Sequence, residues 1–339
     1  MKFVNCISTI DSHTAGMPTR LVVSGVPYIP GNNLIEKRQY VIDHMRGIVS
    51  MLMDEPRGHR GMRGAILTPP TTKEAHAGVV FIGGNCIPSC GHSTIGVVAT
   101  MLETGMIAPA EPVTEVVLET PAGLVHTRAT VDEGRVVSVS MVNVPAFLYE
   151  ADVEVNVPGM GRLVVDIAFG GNFNILVNAT DIGIQVRPEN IEAFIEKAIL
   201  IKRVTDEKIQ VVHPEKPFIN RISHVQFYGP PLDPQAHMKN IAISIPGTVD
   251  RSPCGSGTCA RMSHLFSKGK LHLGETFVHE SVIGTLFDGK IIGETNIGNY
   301  PAIIPEITGK AFITGMHQFV LDPDDSLKYG LFLGGSVGI

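Results

Sequence analysis

Two stretches of the chain, PSCGHSTIGVVATMLETG at residues 88–105 and SPCGSGTCARMSHLFSKG at residues 252–269, share one arrangement. In each, a Cys is followed at once by Gly, then by a Thr four residues past the Cys and a Gly fifteen past it. The spacing predicts a helix in each stretch, Gly91–Glu103 and Gly255–Lys268, stopped by a Gly just past its end. A cysteine immediately before a helix sets its sulfur beside unpaired backbone N–H groups and the positive end of the helix dipole, which lowers a thiol pKa. Gly91 and Gly255 let a ligand approach the backbone closely. Ser93 with Thr94, and Ser256 with Thr258, offer hydroxyls and N–H groups suited to a carboxylate. One such cysteine is most simply a buried cap; two suggest a pair. If both helix starts meet one ligand, Cys90 and Cys254 stand on opposite faces of the carbon beside its carboxylate. A thiolate on one side then removes a proton while the thiol on the other delivers one, which inverts the centre without a cofactor or a metal. Each sulfur would lie roughly 3–3.5 Å from that carbon. The two would then be roughly 7 Å apart, too far for an S–S bond of about 2 Å.

Positioning two such cysteines requires two similar frames. Strands rich in Val and Ile, bounded by Gly, Pro or Asp, are predicted at Leu21–Ser24, Val79–Ile82, Glu115–Glu119, Val136–Val142, Arg162–Asp166, His224–Tyr228, Ile241–Ile245 and Ala311–Thr314. Long helices are predicted from Leu34 to about Met53 and from Glu189 to about Thr205. An apolar strand precedes each Cys (VVFI and IAIS) and another follows each helix, VVLETPAG at 116–123 and FVHESVIG at 277–284. The pattern is two α+β halves rather than a short solenoid period.

Composition agrees with an ordinary folded protein. At 339 residues the chain is long enough for two cores. Hydrophobic residues make up 44% and charged residues 18%, which argues against disorder. A formal net charge of -6 and a pI near 6.1 leave no electrostatic footprint for nucleic acid or an anionic membrane. No run of 18 apolar residues predicts a membrane span, and the start of the chain has no apolar stretch of signal-peptide length. Five cysteines are an odd number for a disulfide framework, so free thiols in a reducing cytoplasm are expected.

Across nearly its whole length the chain resembles the proline racemase family, which shares the two-half architecture of diaminopimelate epimerase. The resemblance rests on DSHTAGMPTR at 11–20, EPRGH at 55–59, CGHSTIG at 90–96, DIAFGGNF at 166–173, YGPP at 228–231, DRSPCGSGTCA at 250–260 and ITGKAFITG at 307–315. It implies two pseudo-symmetric halves, each a mixed or antiparallel sheet or barrel wrapped round a central helix, with the active site in the cleft between them. The expected division is 1–126 plus 317–339 around Cys90 and 127–316 around Cys254, a last strand near His317–Asp322 crossing back to the first half. The resemblance makes Cys90 and Cys254 the acid/base pair. It gives Gly91, His92, Ser93, Gly255 and Ser256 to the substrate carboxylate, and Asp250 with the His92 side chain to the ring nitrogen. An anionic Asp beside a secondary ammonium makes independent sense, because keeping the amine charged acidifies the α-carbon.

Within the family, 3-hydroxyproline dehydratases lack one of the two cysteines, so both together favour racemisation or epimerisation. Proline-specific members tend to carry aromatic residues at the positions matching Arg63 and Ser244, and a small residue matching His224. His224 is similar to the 4-hydroxyproline 2-epimerases, and Ser244 leaves room for a hydrogen-bonding ring substituent. Arg63 departs from the pattern; a guanidinium there could bond a 4-hydroxyl, pair with an acid or signal a more polar substrate. The resemblance thus implies an imino-acid substrate, no cofactor, no metal and a homodimer.

Other residues read more plainly. His13 and His59 are expected to fix turns through Asp11 or Glu55. Cys86, Cys90 and His92 form C-x3-C-x-H, yet structural zinc is usually held by closer knuckles. Cys259 and Cys6 are expected in packing. FGGN at 169–172 lacks the residues of a phosphate loop and is expected to make a turn beside the ligand, as HTAG does in the first half. Glu119 and Glu280 match between the halves and are expected to be solvated strand carboxylates.

Overall fold

The computed structural model describes residues 5–83, 86–87, 89–245 and 247–331. In chain order the elements are β1 (Asn5–Thr14), β2 (Met17–Ser24), α1 (Leu34–His44), α2 (Arg46–Met53), β3 (Gly64–Thr68), β4 (Ala77–Ile82), α3 (Gly91–Glu103), β5 (Val113–Thr120), β6 (Gly123–Asp132) and β7 (Arg135–Val142). There follow β8 (Ala146–Val157), β9 (Gly161–Phe169), β10 (Phe173–Asn178), α4 (Ile191–Lys208), β11 (Ile222–Gly229), β12 (Met238–Ser244), β13 (Thr248–Asp250), α5 (Gly255–Ser267), β14 (Thr276–Glu280), β15 (Leu286–Ile297), β16 (Tyr300–Gly309) and β17 (Ala311–Leu321). The class is α+β, as expected.

Two compact units divide the chain: Met1–Met141 with Gly309–Ile339, and Val142–Thr308. Both expected boundaries move, and strand pairing is the reason. Residue 126 falls inside β6, which pairs with β5 from Val113–Thr130 to Thr120–Gly123, so β6 and β7 stay with the first unit. The return strand likewise begins at Ala311 rather than near His317, because β17 pairs with β1 from Thr14 to Asn5.

In the first unit the strands run β17-β1-β2-β3-β4-β5-β6-β7, with β2–β3 and β4–β5 parallel and the other pairs antiparallel. The second repeats this order as β8-β9-β10-β11-β12-β14-β15-β16, with β10–β11 and β12–β14 parallel. Antiparallel pairing of β16 with β8 closes it into a barrel.

Each unit wraps its strands round one helix. His92 to Leu102 of α3 are all buried, and so are Gly257 to Leu265 of α5. A helix buried on every side needs small or apolar residues, or polar ones with partners. On α5 the Arg261 guanidinium lies 3.6 Å from the Tyr228 ring centre, its Nη1 is 2.7 Å from His264 Nδ1, and His264 Nε2 is 3.1 Å from Asp166 Oδ2. Apolar residues on the other sheet face pack beneath the outer helices: Ile7, Val22, Ile66 and Val80 with α1 and α2, and Phe173, Ile175, Val225 and Phe227 with α4. Among the described residues no helix is long and apolar enough to cross a membrane.

Helices α3 and α5 begin where their glycines predict, and Gly105 and Gly269 close them at positive φ, 73° and 66°. The single helix expected over Leu34–Met53 is broken. Met45 is buried, leaves helical geometry and caps Val41 through its own N–H. Gly47 follows, where a Cβ would lie 2.9 Å from the Tyr329 ring. Helix α4 starts at Ile191, after a 3₁₀ turn opened by Pro188.

Candidate active site

In the first unit Cys90 is the N-cap of α3, with extended backbone at φ -148°. Its sulfur lies 3.2 Å from Ser93 Oγ and 3.6 Å from both ring nitrogens of His92. The β1–β2 hairpin braces this start: Thr14 Oγ1 donates to the His92 carbonyl (2.8 Å) and Thr19 Oγ1 to Ser93 Oγ (3.1 Å). Ser93 Oγ accepts from Thr19 and from the Cys90 thiol, and once the sulfur ionises the Ser93 proton can turn to it. Burial pushes the Cys90 thiol up, but the charge of His92 and hydrogen bonds from His92 and Ser93 outweigh it and leave the pKa below the ordinary value. Cys90 is biased toward the thiolate form.

The second unit sets Cys254 differently. It caps α5 at φ 64°, a positive value that a residue with a Cβ adopts at a cost of order 1–3 kcal/mol. Its sulfur accepts from Gly257 N (3.4 Å) and lies 3.6 Å from Ser256 Oγ. Ser252 braces the approach, donating from both N and Oγ to Asp250 Oδ1 (2.9 and 2.7 Å) while its Oγ accepts from Cys254 N (3.2 Å). Burial, then the charge of Asp250, push this thiol well above the ordinary range. Cys254 is set up as a protonated acid.

His224 on β11 and Ser244 on β12 are cross-strand partners, and Asp250 on β13 pairs with Ala242 next to them. Alternation puts these three on one face while Val225, Phe227, Ile241 and Ile243 enter the core on the other. Gly170, in the FGGN turn between β9 and β10, packs directly on the start of α5, where a Cβ would lie 2.2 Å from the Ser256 carbonyl oxygen and 2.4 Å from Ala260 N. The structure therefore groups Cys90, Gly91, His92 and Ser93 in the first unit, and His224, Ser244, Asp250, Cys254, Gly255 and Ser256 in the second. Arg63 is half-buried just before β3; its carbonyl accepts from Arg20 N (2.9 Å) and its guanidinium makes no ion pair among the described residues.

Several expectations need correction. The Thr94 and Thr258 hydroxyls do not offer themselves to a ligand: both residues are fully buried, and Thr258 Oγ1 donates to the Pro253 carbonyl. Glu119 and Glu280 are buried rather than solvated. Glu119 accepts from Thr71 and Thr72, Glu280 from Leu232 and Asp233, the first bond spanning 48 residues in each case. Glu280 also pairs with Lys239. His13 fixes its turn by accepting from Gly16 N (3.2 Å), while Asp11 is engaged by Arg20 (2.8 Å). His59 faces the Arg60 carbonyl rather than Glu55. Cys6 is exposed rather than packed; Cys259 is core, its sulfur accepting from Asn143 (3.1 Å) and its pKa pushed by burial up to about 12. Among the described residues no three His, Cys, Asp or Glu gather to hold a metal ion.

One signal in the sequence was missed. PPTTKEAH at 69–76 and PPLDPQAH at 230–237 share PP and AH at equal spacing. In each, the His bonds a strand 41 residues on through both its backbone and Nδ1. The repeat thus extends well beyond the cysteine devices.

The opposite bias of the two thiols has a measurable result. At pH 7.5 iodoacetamide should label Cys90 at least about tenfold faster than Cys254, because the thiolate is the nucleophile. Peptide mass spectrometry at timed intervals reads both rates; equal rates would contradict the assignment.

A model of the family described as proline racemase matches residues 9–332. Proline racemase of Clostridioides difficile is 44% identical over 98% of this chain and all of its own length. The 4-hydroxyproline 2-epimerase of Streptosporangium roseum is 41% identical with the same coverage. Among solved structures, a hydroxyproline epimerase from Agrobacterium vitis with bound trans-4-hydroxy-L-proline superposes with a TM-score of 0.89 at 33% identity, covering 98% of this chain and 96% of its own. With motifs, repeat and fold in agreement over nearly every residue, the chain belongs to the proline racemase family.

Proposed function

We propose that this protein is a cofactor-independent epimerase that inverts the α-carbon of 4-hydroxyproline, interconverting trans-4-hydroxy-L-proline and cis-4-hydroxy-D-proline, with Cys90 and Cys254 on opposite faces of that carbon. The observation that carries the reading is the opposite protonation bias of two cysteines in matching helix-cap positions. Such a reaction needs one thiolate and one thiol at once. Cys90 removes the α-proton; Cys254 delivers its own to the other face. Charge then builds on the substrate carboxylate, where N–H groups at Gly91, His92 and Ser93, and at Gly255 and Ser256, stabilise it. Asp250 holds the ring nitrogen as an ammonium. That contact also draws the Asp250 charge away from Cys254, whose thiolate must form during turnover and serve as the base in reverse.

Preference for the hydroxylated ring rests on the His224–Ser244 pair. A ring hydroxyl offers these polar side chains a hydrogen-bonding group that plain proline lacks. Arg63, whose guanidinium makes no ion pair among the described residues, is a further candidate for the ring hydroxyl. A second reading, racemisation of proline, is supported by the relatives named for that reaction.

Incubation with trans-4-hydroxy-L-proline and with L-proline in D₂O decides between them. Deuterium at the α-carbon with changed optical rotation is expected for hydroxyproline, at a kcat/KM at least about tenfold above proline. The reverse ranking makes the protein a proline racemase. Release of water makes it a lyase, and no exchange with either compound removes the epimerase reading.

A further inference from the structure

The two halves treat their cysteines alike in sequence and differently in backbone: Cys90 is extended, whereas Cys254 sits at φ 64°. The second half has a buried polar cluster under the cysteine that has no counterpart among the described residues of the first. Asn240 Nδ2 donates to the Pro253 carbonyl (2.8 Å), Thr258 Oγ1 donates to the same oxygen (3.1 Å), and His279 Nδ1 lies 2.9 Å from Thr258 Oγ1. One set of protons satisfies all three contacts: His279 Nδ1–H donates to Thr258, and Thr258 and Asn240 both donate to Pro253. Burial, with the charge of Arg261, drives the His279 pKa down to about 3, so the ring is neutral.

The first half is an internal control. His279 stands just before Glu280, and its counterpart before Glu119 is Leu118. Asn240 lies three residues past His237, and its counterpart past His76 is Val79. Thr94 matches Thr258, yet Thr94 Oγ1 has no hydrogen-bond partner among the described residues. Where the cysteine is relaxed, the described residues hold no such cluster; where it is strained, the cluster clamps the carbonyl immediately before it.

We propose that Asn240, Thr258 and His279 are positioning residues that clamp the Pro253 carbonyl and hold Cys254 in its positive-φ conformation, aiming the thiol that the proposed reaction uses. This rests on the reading of Cys254 as an acid/base residue. None of the three touches substrate; they act through the backbone that carries the sulfur, and a displacement of about 1 Å at a reacting group can cost on the order of a hundredfold in rate.

The test uses Thr258→Val, which keeps shape and removes the hydroxyl, His279→Leu, which installs the residue of the first half, and Thr258→Ser, which restores the hydroxyl. Thr258→Val and His279→Leu are expected to lower kcat at least tenfold with KM within about twofold. Labelling of Cys254 by iodoacetamide should slow at least threefold as its sulfur leaves the helix N–H groups, with Cys90 unchanged. Thr258→Ser should recover most of the rate. Unchanged kcat in both variants, or a loss that tracks only a lowered melting temperature, overturns the proposal. Cys254→Ser, with Asn240, Thr258 and His279 intact, separates the two ideas. If it leaves turnover intact, the assignment of Cys254 fails and the clamp with it; if it stops turnover while the variants behave normally, the clamp alone is wrong.

Discussion

Replacement of Cys254 by serine should lower epimerase turnover by about 10³-fold or more, and Cys90→Ser should do the same. A general acid or base contributes typically about 10²–10⁴-fold, and a serine hydroxyl is far too weak an acid to take either place. The two losses should nonetheless differ in kind. Cys254→Ser retains the base at Cys90, so one epimer of the substrate should still exchange its α-proton with D₂O and return with its configuration kept. Cys90→Ser should favour exchange of the opposite epimer, more slowly, because burial and Asp250 hold the remaining thiol protonated. Neither variant should show inversion above background by chiral chromatography. The pH dependence follows from the same pair: activity should rise as Cys90 ionises, below the ordinary thiol value of 9.0, and fall only as Cys254 loses its proton, above it. Full inversion by either single variant would defeat the two-thiol mechanism.

Gly170→Ala is expected to be nearly as damaging, although residue 170 carries no chemistry. A Cβ there would lie 2.2 Å from one backbone atom of α5 and 2.4 Å from another, and neither can swing aside as a side chain would. The FGGN turn or the helix start must move. Overpacking of this kind costs about 1–3 kcal/mol and at times more, and moving the N-terminus of α5 carries Cys254 with it. The expected result is a lower melting temperature with kcat/KM down by roughly a hundredfold. Gly183→Ala is the control: φ there is 68° and no atom lies within 4 Å of the new Cβ. It should cost about 1–2 kcal/mol of backbone strain and leave turnover unchanged. Wild-type melting and activity in Gly170→Ala would mean that the contact of turn and helix is unimportant.

The paired cysteines, their helices and the two-half plan could be read from residues alone because their signals are local. Cys-Gly opens each helix and a glycine at positive φ closes it, both signals set by residues next to the helix ends. The apolar alternation of β11 and β12 likewise reveals which face enters the core. The break at Met45 could not be read, because the apolar pattern runs through it, and what ends α1 is burial of that side chain. Glu119 and Glu280 were misjudged for a related reason: a carboxylate at the end of a strand looks solvated until a turn 48 residues earlier in the chain delivers its N–H groups.

The sequence by itself determined that two thiols would each sit at the mouth of a helix, since capping is set by neighbours within a few residues. Only the tertiary structure decided which of them holds its proton. CGHS and CGSG look alike as caps, but His92 closes on one sulfur, and β13 brings Asp250 toward the other while distant Asn240 and His279 flank the bend before it. Ionisation depends on burial and on how charges and dipoles are oriented around an atom; His92, Ser93 and Asp250 lie close to their cysteines in the chain, but the fold sets the burial and the direction in which each one points.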